Sequence, residues 1–205
     1  MDRTQHWNAV YAGREEGQAS WFEAAPELSL RLLAAAGLGG ETAVVDIGGG
    51  EARLVDALLA RGVRRLTVLD ISGEALRRAQ ARLGKAAAEA VSWIEADVAG
   101  AWRLPPVDLW HDRAVFHFLT RPEERAAYRG HLLETLQPGG GAVIATFALE
   151  GPERCSGLPV ARYSPATLAQ ELGPELRLVE ALEHVHHTPT GAAQAFQYSR
   201  FIRLG

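Results

Sequence analysis

A single cysteine, Cys155, in a chain of 205 residues has no partner for an internal disulfide, which fits a reducing compartment. No apolar run approaches the roughly 20 residues that a membrane helix needs. The opening Met1-Asp2-Arg3-Thr4-Gln5-His6-Trp7 also lacks the hydrophobic stretch of a signal peptide. A cytoplasmic location without a membrane partner is therefore expected. Basic residues are not in surplus either: 21 Lys and Arg stand against 25 Asp and Glu, a net charge of -4, which argues against a broad nucleic-acid surface. Internal repeats and low-complexity linkers are absent as well. With 47% apolar and 22% charged residues, the chain has the composition of one globular domain with one core.

From about residue 42, short β-rich runs alternate with helical segments, the pattern of an α/β fold whose parallel sheet is covered on both faces. Thr42 to Ile47, Arg65 to Ile71, Val91 to Ala96, Val107 to Asp112 and Gly141 to Phe147 read as strands. Glu51 to Arg61, Glu74 to Leu83 and Glu123 to Leu136 carry apolar residues at helical spacing. Pro138-Gly139-Gly140-Gly141 reads as a stop after the last of these helices. Beyond Phe147 the reading is a loop, a short helix from Pro165 to Leu172, and strands Leu176 to Glu183 and Gln194 to Arg203. The link around Thr188-Pro189-Thr190-Gly191 is too short for a crossover helix, so an antiparallel hairpin is expected. Residues 1–40 read as helical, 41–150 as the core that holds a ligand, and 151–205 as a loop and terminal hairpin on the side of the second substrate.

A strand that runs into Asp46-Ile47-Gly48-Gly49-Gly50 and then a helix presents bare backbone at the carboxyl edge of a sheet, where open α/β folds bind ligands. A dinucleotide fingerprint would require glycine or alanine at position 53, which is Arg53 here. The Asp46 carboxylate would repel a pyrophosphate, but it suits the ammonium and sulfonium of S-adenosyl-L-methionine. Asp70 closes the second strand where an acid accepts hydrogen bonds from both ribose hydroxyls. Asp97 ends the third strand, where its carboxylate suits an adenine amino group while Val98 offers a backbone N–H. A strand-ending Asp also commonly caps the next turn, so the order and spacing of the set carry more weight than any one acid.

Val44 to Gly50, Leu69-Asp70-Ile71-Ser72, Glu95-Ala96-Asp97-Val98 and Leu136-Gln137-Pro138-Gly139-Gly140 resemble the successive motifs of the class I S-adenosylmethionine-dependent methyltransferases. The resemblance covers about residues 40–150. It implies a Rossmann-like, doubly wound sheet of seven strands, mostly parallel with an antiparallel last strand. It also implies donor contacts by Asp46, Gly48 and Gly50 at the methionyl part, by Asp70 at the ribose, and by Asp97 and Val98 at the adenine, with Gly49 and Ile71 among the donor-binding residues. The third small position of the glycine loop, commonly glycine in the family, is Ala52 here.

The segment Trp110-His111-Asp112-Arg113-Ala114-Val115-Phe116-His117-Phe118 follows the fourth strand, which in this fold leads toward the transferred methyl. His111 is the candidate base for an amine, hydroxyl or thiol, with Asp112 orienting donor or acceptor; the alternative for His111 is a hydrogen-bonded structural histidine. His117 is a candidate wall of the acceptor pocket. Among the N-terminal aromatics, Trp21 is expected against the donor and Tyr11 against the acceptor, with a π-face for the sulfonium and a helical lid over both. Arg162, Tyr163 and His186 complete the candidate acceptor contacts. His184, His186, His187 and Cys155 do not have zinc-site spacing, and no metal is expected. The function that follows is methyl transfer to a small N, O or S nucleophile. Protein lysine methylation and a non-catalytic donor-binding module are the alternatives.

Overall fold

The computed structural model describes residues 2–205. Helices α1 (Arg3–Ala12) and α2 (Glu27–Ala35) precede the sheet. Then follow β1 (Ala43–Ile47), α3 (Leu54–Ala60), β2 (Arg65–Asp70), α4 (Gly73–Leu83), α5 (Lys85–Glu89), β3 (Val91–Glu95) and β4 (Val107–Arg113). After a 3-10 turn at Phe116–Phe118 come α6 (Pro122–Thr135), β5 (Leu136–Phe147), a small hairpin of β6 (Arg154–Cys155) and β7 (Leu158–Pro159), α7 (Pro165–Leu172), β8 (Leu176–His187) and β9 (Ala193–Arg203). The large sheet has seven strands in the order β3-β2-β1-β4-β5-β9-β8. Strands β1 to β5 pair in parallel, and only β9 runs against the rest. This is the expected Rossmann-like architecture.

Strand β1 shows why the sequence makes such a sheet. All five of its residues are buried, as a parallel strand between two helical layers requires. Its side chains alternate between layers: Val45 and Ile47 pack with Tyr128 and Leu132 of α6, while Val44 packs with Leu32 and Leu33 of α2 and Leu58 of α3. The β1–β4 register sets Asp46 opposite His111 and Ile47 opposite Asp112. Neighbouring residues of β4 therefore face different layers.

Several boundaries differ from the sequence reading. Strand β8 continues to His187 and β9 begins at Ala193, because cross-strand pairing carries the hairpin past the last apolar residues. Thr135 ends α6 and β5 starts at once at Leu136, so the Pro-Gly-Gly stretch lies inside the irregular start of that strand, where the register against β4 shifts. Helix α5 and the β6–β7 hairpin were not read from sequence, since neither has an apolar period. Among the described residues, no helix is long and apolar enough to cross a membrane.

Candidate functional site

Two adjoining clefts open at the carboxyl ends of β1, β2, β3 and β4, under the N-terminal segment. One offers about 740 Å³ of free space, its open mouth included, and is lined by Asp70, Ile71, Asp97 and Val98 and, farther along, by Phe147, Cys155, Gln194 and Phe196. The other, about 650 Å³, is lined by Asp46, Gly48, Gly49, Ser29 and His111. Tyr11, Trp21, Gly48 and Arg113 line both. These volumes suit a ligand of nucleoside size with a second small molecule beside it.

The glycine loop forms a cradle that side chains would fill. Gly48 has φ +65, and a β-carbon there would drive into the side chain of Val115. At Gly50, φ +38, a β-carbon would stand 2.7 Å from Asp70 Oδ2 and 2.9 Å from the Tyr11 hydroxyl. Only glycine combines this backbone conformation with so close an approach. Asp70 accepts a hydrogen bond from the Ser72 N–H at 2.8 Å through Oδ1. Burial pushes its carboxyl up to about 7 against that bond, and the nearby Asp46 and Glu95 carboxylates add to the rise. Asp97 accepts from the Ala99 N–H at 2.9 Å, and the Arg3 guanidinium lies 3.5 Å from its other oxygen. A loop of bare backbone flanked by strand-end carboxylates fits the methionyl, ribose and adenine parts of S-adenosylmethionine.

His111, the candidate base, and Asp112, the candidate orienting group, enter different layers of the fold. His111 is buried, with Nδ1 2.7 Å from Asp46 Oδ1 and Nε2 2.9 Å from Ser29 Oγ. Both ring nitrogens are occupied, so its geometry is that of the structural histidine rather than of a base. Asp112 faces the opposite layer with no exposed surface. Its carboxylate accepts from the Val115 N–H at 3.0 Å, the Phe116 N–H at 3.2 Å and the Tyr128 hydroxyl at 2.8 Å, while the indole N–H of Trp110 donates to Tyr128. Burial pushes the Asp112 carboxyl up to about 6 despite these bonds. Asp112 thus anchors the turn after β4 from within the core and lines neither cleft.

Four candidate acceptor contacts also lie elsewhere. His117 is fully buried: its Nδ1 accepts from the Phe147 N–H at 3.2 Å, and burial lowers its pKa to about 3. It supports Phe118 and Phe147 and lines neither cleft. Tyr163 packs in the core with its ring 5.4 Å from that of Phe116. Arg162 is exposed and pairs with Glu153 at 2.9 Å. His186 donates through Nε2 to the Ser20 carbonyl at 2.8 Å and so ties down the N-terminal segment. His184 shares that strand face, while His187 is exposed, and among the described residues no three His, Cys, Asp or Glu side chains gather as metal ligands.

Of the N-terminal aromatics, Trp7, Tyr11 and Trp21 do line the clefts, in edge-to-face contacts of 5.8 Å for Trp7–Trp21 and 5.9 Å for Tyr11–Trp21. Arg113, Gln194, Phe196, Phe147 and Cys155 are cleft residues that the sequence reading did not assign to the site. Arg113 donates to the Trp21 carbonyl at 2.8 Å and to the Tyr198 hydroxyl at 2.9 Å, and pairs with Glu23 at 2.9 Å. Its one sequence signal is its place directly after Asp112, where the strand breaks into a turn with Ala114 at φ 68.

A sheet of this order with a glycine cradle and acids at successive strand ends defines an α/β enzyme that binds a nucleoside-type co-substrate at its carboxyl edge. Residues 44–140 match the family model described as a methyltransferase domain. No curated protein sequence matches the chain. Among solved structures, it is similar to a 1,6-didemethyltoxoflavin-N1-methyltransferase from Burkholderia thailandensis, crystallised with 1,6-didemethyltoxoflavin and S-adenosylhomocysteine (20% identity over 99% of this chain and 87% of that one, TM-score 0.74). It is also similar to the N-methyltransferase NodS of Bradyrhizobium japonicum (21%, 87% and 96%, TM-score 0.69) and to an S-adenosylmethionine-dependent methyltransferase of Anabaena variabilis (12%, 99% and 96%, TM-score 0.75). At these identities the likeness to the solved structures is one of fold. The methyltransferase-domain match spans the glycine loop and its following acids, so residues 44–140 carry a methyltransferase domain of the S-adenosylmethionine-dependent kind, with S-adenosylmethionine as its co-substrate.

Proposed function

We propose that the enzyme methylates a small molecule at nitrogen, oxygen or sulfur inside a closed cleft. The observation that carries this reading is the fastening of the N-terminal segment over the site. Asn8 Oδ1 accepts from Ser72 Oγ at 2.8 Å and the Glu74 N–H at 3.2 Å, and Arg78 donates to the Arg14 carbonyl at 2.8 Å. Arg53 pairs with Glu16 at 2.5 Å. On the other flank, Arg113 and His186 hold Trp21, Glu23 and Ser20. A lid held on both sides suits a small acceptor; a protein lysine would need an open groove. Two of the fold neighbours are named N-methyltransferases, which agrees with this reading.

S-adenosylmethionine supplies the methyl group on a cationic sulfur. In this reading Asp46, Gly48, Gly49 and Gly50 receive its methionyl part, Asp70 and Ile71 the ribose, and Asp97 and Val98 the adenine. Trp21 and Tyr11 form the aromatic wall. His111 is a positioning residue: by engaging Asp46 Oδ1 it fixes the carboxylate that faces the donor's ammonium. In-line displacement needs alignment and exclusion of water more than a strong base. The aromatic walls and the lid provide both, in a cytoplasmic setting. Incubating the protein with methyl-labelled donor and a panel of small amines, hydroxyls and thiols, beside a cell extract, tests the reading. Label in a small molecule supports it, and label found only in extract proteins overturns it.

A further inference from the structure

The end of the larger cleft away from Asp70 and Asp97 is built from Phe147, Cys155, Gln194 and Phe196, with Trp21 and Phe118 also on its wall. Charge is nearly absent from it. Among the described residues the one cation there is Arg113, which pairs with Glu23 at 2.9 Å through an Nη2 that makes no aligned hydrogen bond, donates to the Tyr198 hydroxyl and the Trp21 carbonyl, and lies 5.0 Å from the Phe196 ring centroid. Arg3, at the other end, is held by Glu124 at 3.1 Å and Asp97. Burial keeps the Cys155 thiol protonated by pushing it up.

Within this apolar surround, Gln194 stands out. It is only 9% exposed, and among the described residues its side chain makes no hydrogen bond and its amide oxygen is buried without a partner. Native structures seldom leave such a group unmatched. The side chain sits on the wall of the cleft, and its terminal amide carries a donor and an acceptor side by side, which rotation about the last torsion presents in either order. Aromatic faces favour a flat ring, and the lack of a free charge favours a neutral one.

We propose that the methyl acceptor is an uncharged, planar ring compound with a lactam-type edge, an N–H beside a C=O, which lies among Phe147, Phe196 and Trp21 and pairs with the amide of Gln194. The inference rests on the small-molecule reading above and names the class of acceptor. Gln194 is a specificity residue in this view: a ligand without the matching edge leaves the buried amide unpaired.

The test compares 2-quinolone, a ring lactam, with quinoline, the same ring system without that edge, and with the aliphatic amine spermidine. Each is titrated calorimetrically into wild-type protein and into Gln194→Leu, with S-adenosylhomocysteine present. The lactam is expected to bind wild-type protein about tenfold or more tightly than quinoline, and the preference is expected to vanish in Gln194→Leu. The affinity for S-adenosylhomocysteine, measured in both proteins, should be the same, which separates loss of recognition from loss of fold. Equal binding of the two rings, no binding of either, a preference that survives in Gln194→Leu, or tighter binding of spermidine would each overturn the inference. Failure of the underlying reading is recognised separately, by methyl label that enters extract proteins and no small molecule.

Discussion

The proposed donor end and the proposed acceptor end of the cleft are built in different ways. Asp46, Gly48, Asp70, Asp97 and Val98 come from three successive strand ends within about fifty residues, and each strand places its acid by the same crossover rule. The acceptor end gathers Trp21, Arg113, Phe147, Cys155, Gln194 and Phe196 from the whole length of the chain. A site assembled from repeated local units leaves a spacing that can be read. A site assembled by tertiary packing leaves none.

Substitutions at the donor end should therefore be severe and specific. Gly48→Ala is expected to have the largest effect, because a β-carbon meets Val115 and the backbone is left-handed. Donor affinity should fall by about 100-fold or more by calorimetry, with about 1–3 kcal/mol lost in denaturant melts. Asp70→Asn should weaken donor binding about 10- to 100-fold. In the wild type, affinity should rise with pH through about 7 as the buried Asp70 carboxyl ionises to accept the ribose hydroxyls, and the Asn variant should lose that dependence.

The sign of the stability effect is opposite to that of an ordinary salt-bridged acid. Asp70 holds its proton up to about 7 in the fold and to about 3.9 when unfolded. Its contribution to stability is full below pH 4 and is lost as pH rises through about 7. Ligand-free Asp70→Asn should therefore gain stability relative to wild type above pH 7, measured by urea titration across pH.

Two substitutions separate core support from chemistry. Asp112→Ala strands the Tyr128 hydroxyl and two backbone N–H groups, and should cost about 2–4 kcal/mol of stability. Donor affinity of the folded fraction is expected to change by less than about threefold, because Asp112 lines neither cleft. His111→Gln should raise the donor KM several-fold while leaving the pH profile of kcat unchanged; loss of an ionisation from that profile would restore His111 as a base. Arg162→Ala marks the small end of the scale: its exposed pairing with Glu153 is worth less than about 1 kcal/mol, and no change in acceptor KM is expected.

The fold was legible because β1 to β5 are short apolar runs separated by helical periods, and the last two strands are joined by too little chain for a crossover. His111 and Asp112 were harder. In a strand buried on both faces, alternation says that neighbours diverge but gives no polarity to mark which layer each enters. The histidine and cysteine segments near the C-terminus drew attention by composition. In the structure His186 fastens Ser20 while Cys155 lines the cleft, a division that depends on contacts 166 residues apart in the case of His186. Gln194 lacked any signal, since an isolated glutamine in a strand becomes informative only once its missing partner is seen.

A crystal structure with S-adenosylhomocysteine bound tests the account most directly. The expected result has the adenine at Asp97 and Val98, both ribose hydroxyls on Asp70, and the amino group facing Asp46 beneath Trp21. The homocysteine sulfur should point toward Phe147 and Gln194. A product bound outside these strand ends, or one whose ribose makes no contact with Asp70, would contradict it.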